Sequence, residues 1–127
     1  MMMFSKLLFI NALFTAVGGI LLIFIPNQLM QLFGIQIPQT DFFVYYLLGA
    51  ASLSFSVLSF SALKIKDKAS LKVIALTFLT FHAAESVIGV YEIKNGFSSF
   101  VLGNVTIHLI FSILFWSLGF YKNAASA

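Results

Sequence analysis

Residues 69–121 read ASLKVIALTFLTFHAAESVIGVY, then EIKNG, then FSSFVLGNVTIHLIFSILFWSLGFY. Two apolar runs are joined by Glu92-Ile93-Lys94-Asn95-Gly96, and each run holds one of the chain's two histidines. His82 lies 13 residues before Asn95 and His108 lies 13 residues after it. A helix rises about 1.5 Å per residue, so a hairpin turning at Asn95 brings both imidazoles to one level near the middle of each helix. Ser86 and Asn104 match in the same way, with Glu85 beside them. The stretch therefore predicts two antiparallel helices, over about 69–91 and 97–121, with one polar layer written into an apolar hairpin.

The rest of the chain has the same character. Of its 127 residues 61% are hydrophobic and only 9% charged, with a mean hydropathy of +1.04. A soluble domain carries about 25% charged residues, so this composition cannot cover a water-facing surface and reads as a membrane protein. Besides the two runs of the hairpin, apolar runs cover about 7–25 and 42–63, and roughly 20 apolar residues cross a bilayer as a helix. Strands of a barrel would alternate polar and apolar over about 10 residues, and these runs do not. The fold class predicted is all-α: one integral membrane domain of four helices, a four-helix bundle over residues 1–127.

The connections support that division. Pro26 ends the first run, since proline has no amide to donate to a continuing helix. Met1 to Lys6 with the run behind it resembles a secretion signal, but no small-residue cleavage site precedes Pro26 and the run is long, so it reads as the first span. Within it Asn11 and Thr15 share a face, and Gly18-Gly19 admits a neighbouring backbone. Leu29, Leu32 and Phe33 fit one face of a short amphipathic helix over Asn27 to Phe33, lying in the membrane interface and capped by Gly34; an irregular interfacial loop is the alternative. Pro38 and Thr40 end this connection. In the second span Tyr45 and Tyr46 suit the interface. Gly49, Ser52, Ser56 and Ser59, spaced three, four and three apart, form a small-residue stripe suited to close helix packing in lipid.

Charge sets the expected orientation. The net charge of +3 comes from seven lysines and no arginine against four acids. Lys64, Lys66, Lys68 and Lys72 cluster in the turn between the second and third runs, with Lys6 before the first span and Lys122 after the last; only Lys94 falls on the other side. The positive-inside rule then places both termini and this turn in the cytoplasm of a bacterial-type cell membrane. The lysines flank spans and form no basic face, which argues against nucleic-acid binding. With no cysteine, disulfides and thiolate chemistry are excluded.

The polar layer of His82, Glu85, Asn104 and His108 supports three readings. Ala75, Leu79, His82, Ser86 and Gly89 recur at heptad-like spacing, which turns His82 toward protein, and Asn104, His108 and Ser112 are each four apart. The layer can fix the register of helices that would otherwise slide, which is the reading the sequence favours. It can hold a cofactor, either haem b between two axial histidines or a metal on His82, Glu85 and His108. Or Glu85 and a histidine can relay protons or bind a cation in a small transporter or channel working as a dimer. No Gly-rich phosphate loop, Gly-x-Ser-x-Gly elbow or HExxH motif is present. No cofactor is therefore predicted outright, and an enzyme is not the favoured reading. The expected partners are the lipid bilayer and either further copies of the chain or other subunits of a membrane complex, with the stripe at Gly49, Ser52, Ser56 and Ser59 as the associating face.

Leu8 to Asn11, Gly18-Gly19, Phe24 with Pro26, Phe33-Gly34, Leu48-Gly49-Ala50, Phe81-His82 and Leu118-Gly119-Phe120 resemble the spacing in small bacterial four-helix membrane proteins, loosely DoxX-like. That family pattern has an arginine near position 46, where this chain has Tyr46, and Glu85 is an addition to it. The resemblance implies the four-helix architecture and, since the family has no settled activity, no function.

Overall fold

A computed structural model describes residues 2–95 and 99–121. Gly96 of the predicted turn and Lys122 of the predicted cytoplasmic flank lie outside the described residues. The helices are α1 (Met2–Phe24), α2 (Pro26–Leu32), α3 (Phe42–Ala62), α4 (Lys68–Asn95) and α5 (Ser99–Trp116). A 3₁₀ turn, Gln39–Asp41, leads into α3, and a widened π turn, Ser117–Tyr121, follows α5. Among the described residues there is no strand. Four of the helices, α1, α3, α4 and α5, are long and apolar enough to cross a membrane.

Helix ends follow local chemistry. At Pro26 the chain breaks: Ile25 takes φ −138° and ψ 50°, and the proline opens α2 at a position where no amide is needed. After α2 the amide of Ile35 donates to the Met30 carbonyl at 2.9 Å and that of Gly34 to the Gln31 carbonyl at 3.0 Å. Gly34 adopts φ +78°, the left-handed conformation in which glycine ends a helix without strain. The expected short helix is thus present and the irregular-loop alternative is not. Asp67 caps α4: one carboxylate oxygen accepts from the Ser70 amide at 2.7 Å and the Ser70 hydroxyl at 2.6 Å. The hydroxyl bond first, and the amide second, hold the Asp67 carboxyl below its ordinary value of 3.8.

Two boundaries differ from the sequence expectation. α1 starts at Met2, because Lys6 is a good helix former and nothing before it stops the helix. α4 runs on through Glu92-Ile93-Lys94-Asn95, expected as turn, since none of the four breaks a helix.

The chain divides into two compact units: Leu8–Leu63, and Met1–Leu7 with Lys64–Ala127. In the first, α1 and α3 run antiparallel and approach closely at Gly19 and Gly49. A Cβ on Gly19 would lie 2.8 Å from the Gly49 carbonyl oxygen, and one on Gly49 would lie 2.7 Å from Ile23 Cγ1. Further along, the Asn11 amide donates to the Ser59 hydroxyl at 2.8 Å, and the Ser56 hydroxyl donates to the Ala12 carbonyl at 2.8 Å. Phe9 meets Phe60 edge-on. In the second unit α4 and α5 run antiparallel with tight contacts near both ends, where a Cβ on Gly89 would strike Val105 and one on Gly119 would strike Ala75. Between them lie the buried Phe78 and Phe115, at 5.1 Å between ring centroids. Phe4, from the start of α1, packs edge-on against Phe115 at 6.1 Å.

Candidate functional site

His82 and His108 meet at the middle of the α4–α5 hairpin. Their Nδ1 atoms are 3.0 Å apart, a hydrogen-bond separation. His82 is fully buried and His108 nearly so, at 5% exposure. On α4 the buried line runs through Leu71, Ile74, Ala75, Phe78, His82 and Ser86; on α5 it runs through Val101, Val105, His108, Phe111 and Phe115. Each histidine occupies its helix's inward seam, and the two seams face each other.

Aromatic rings fix the imidazoles. Phe111 stacks on His82 at 4.7 Å with 11° between planes, and Phe115 lies nearly parallel to it at 5.8 Å. Phe81 presents itself edgewise to both histidines, at 5.1 Å from His82 and 6.0 Å from His108. With the surrounding rings in place, the imidazoles have little freedom to turn away from each other. The sequence reading did not single out Phe111 and Phe115, although the signal was there. Phe111 and Phe115 stand three and seven residues beyond His108, on its own helical face.

The other two members of the expected layer stand apart. Glu85 and Asn104 are each half-buried, and neither makes a hydrogen bond among the described residues. The matching serines are satisfied locally. Ser86 donates to the His82 carbonyl at 2.8 Å and Ser112 to the His108 carbonyl at 2.9 Å, the usual back-bonding four residues along a helix. The described hydrogen bond of the layer thus joins His82 and His108 and does not include Glu85 or Asn104.

That geometry bears on the ligand readings. Among the described residues, no group of three His, Cys, Asp or Glu comes together to hold a metal ion, so Glu85 does not complete a site with the histidines. Metal–nitrogen bonds of about 2.0–2.1 Å place two tetrahedral ligands roughly 3.3 Å apart and two opposite axial ligands roughly 4 Å apart. The 3.0 Å between the facing Nδ1 atoms is shorter than either.

The stripe on α3 also has an occupant. Gly49, Ser52, Ser56 and Ser59 are all buried. Gly49 abuts Gly19 and Ile23, Ser56 bonds the Ala12 carbonyl, and Ser59 receives the Asn11 amide. Within the Leu8–Leu63 unit the stripe is thus packed against α1 of the same chain. Asn11, fully buried, makes the interhelical hydrogen bond its position predicts.

No family model, curated protein or solved structure matches the chain. The site must therefore be read from its own chemistry. Among the described residues every buried side-chain nitrogen and oxygen has a hydrogen-bond partner. Asn11, Ser56 and Ser59 bond between helices, and many large apolar side chains are exposed, among them Val57, Val87, Ile88, Leu109 and Ile113.

Proposed function

We propose that the chain is an integral membrane protein of four spanning helices, packed as a bundle with both termini cytoplasmic. In this reading it is not an enzyme and acts by association, with further copies of itself or as a small subunit of a membrane complex. Hydropathy and helix length support insertion, and the lysine distribution supports the orientation.

The observation that supports association is a second small-residue line on α3, opposite the first. Ala50, Ser54 and Ser61 recur at four and seven residues and are all exposed, with the larger Val57 on the same line. The Ser54 hydroxyl is returned to the Ala50 carbonyl at 2.9 Å. Helices in lipid associate through such faces because small side chains let backbones approach and gain dispersion contact without a hydrophobic driving force. The inward stripe cannot do this, since α1 covers it.

The test is the mass of the protein in nanodiscs of native lipid, for the wild type and for Ala50→Leu and Ser54→Leu. The wild type should run as an oligomer or with a stoichiometric partner. The leucine variants should dissociate while keeping their helical content. A wild-type chain that is monomeric and partnerless in native lipid would overturn the reading.

A further inference from the structure

Glu85 and Asn104 share one deficiency. Each is half-buried within a candidate span and makes no hydrogen bond among the described residues. Buried side-chain nitrogens and oxygens in those residues all have partners, so the Glu85 carboxyl and the Asn104 carboxamide must reach the surface of the chain. There they are set among exposed apolar side chains, with Ile88 three residues beyond Glu85 and Ile107 three beyond Asn104. Hydrocarbon offers such groups no hydrogen bond, and polar side chains within spans are therefore usually paired.

The two stand at one depth. His82 and His108 are in contact, and a helix rises about 1.5 Å per residue, which puts Glu85 about 4.5 Å and Asn104 about 6 Å from that contact, both toward the Asn95 end of the hairpin. Within one turn of either, the other hydrogen-bonding side chains of α4 and α5 are engaged. The histidines bond each other, Ser86 donates to the His82 carbonyl and Thr106 to the Leu102 carbonyl.

Association in a membrane preserves depth. In the orientation proposed above every copy stands the same way up, so a two-fold axis between two copies runs along the membrane normal. Across that axis a side chain meets only groups at its own level. We propose that Glu85 and Asn104 join two copies of this chain, the carboxyl of each copy bonding the carboxamide of the other.

An amide suits a carboxyl in either protonation state: its N–H donates to both forms, and its oxygen accepts from the acid. Glu85 facing Glu85 lacks that latitude, because two carboxylates have only acceptors. Close approach is open on both helices. Ala84 is exposed beside Glu85, and a Cβ on Gly103, beside Asn104, would meet nothing within 4 Å. This contact presupposes the spanning, associating chain proposed above, and it does not depend on the line at Ala50 and Ser54. Because the bonds lie between chains, their loss separates copies and leaves each fold intact.

The experiment follows self-association of the full chain in liposomes of native lipid, by energy transfer between copies labelled with donor or acceptor at Gln36→Cys. Glu85→Leu and Asn104→Leu each remove both cross-chain pairs. At the usual strength of interhelical bonds in membranes, each should weaken association about eightfold. Glu85→Leu copies mixed with Asn104→Leu copies retain one pair, so the mixture should associate about threefold more tightly than either variant alone. A mixture with no such gain would overturn the proposal, as would a loss in only one leucine variant or in neither. Where a leucine variant loses its helical signal, the alanine variant at that position carries the same expectation. If Ala50→Leu and Ser54→Leu separate the copies while Glu85→Leu and Asn104→Leu do not, the polar contact is refuted and association stands. A wild type without energy transfer but with a stoichiometric partner has the same meaning, and one that is monomeric and partnerless refutes both.

Discussion

Gly18 and Gly19 are neighbours in α1, yet the same substitution should act on them with opposite sign. A Cβ on Gly18 meets nothing within 4 Å. Alanine there gains helix propensity, about 0.8–1.0 kcal/mol in a water-exposed helix and less in lipid, and should leave stability unchanged or slightly raised. A Cβ on Gly19 would lie 2.8 Å from the Gly49 carbonyl oxygen, 2.9 Å from Leu53 Cγ and 3.0 Å from the Leu53 amide nitrogen. Two of those three atoms are backbone and cannot rotate away, so α1 and α3 must separate by several tenths of an ångström. Overpacking of this kind costs about 1–3 kcal/mol. After the propensity gain, the two variants should differ by about 2 kcal/mol, or roughly thirtyfold in the unfolding constant. Reversible unfolding in mixed micelles, read by circular dichroism, measures the difference. Equal stabilities for Gly18→Ala and Gly19→Ala would show that α1 and α3 do not meet at Gly19 and Gly49.

Asn11→Leu removes the donor to Ser59, and since interhelical hydrogen bonds in membrane proteins average about 0.6 kcal/mol with a maximum near 1.7, micellar unfolding should shift by an amount in that range. Glu85→Leu should not lower stability, because no hydrogen bond among the described residues is lost with the carboxylate; a loss as large as that of Gly19→Ala would mean that Glu85 has an essential partner. For Asp67, whose carboxyl is held below 3.8 by Ser70, the cap's contribution is present above that ordinary value and is lost as pH falls through the lower native one. Amide exchange at Ser70 should therefore accelerate in Asp67→Ala at neutral pH, and in the wild type only in strong acid.

Much of this was legible in the sequence. Helix number, the breaks at Pro26 and Gly34, and the level of the two histidines follow from run length, backbone chemistry and a fixed rise per residue. Which side chains at a shared level actually touch was less so. Glu85 and Asn104 share the level of the histidines to within a turn, yet neither joins the bond between them. The inward stripe of α3 was visible, but its occupant was not. A line of small residues fits another helix equally well from the same chain or a different one, and the pairing of Gly49 with Gly19 settles it only in three dimensions. Phe111 and Phe115, beside the histidines, were obscured by composition, since with 16 phenylalanines in the chain neither stands out by type.

The four-span reading is tested most directly by single cysteines introduced into a chain that has none. Placed at Gln36, Asp67 and Asn95, they sample three successive connections between the proposed spans. In intact cells, a membrane-impermeant maleimide should label Gln36→Cys and Asn95→Cys, and should label Asp67→Cys only after the membrane is permeabilised. Labelling of Asp67→Cys from outside, or protection of the other two, would contradict the account.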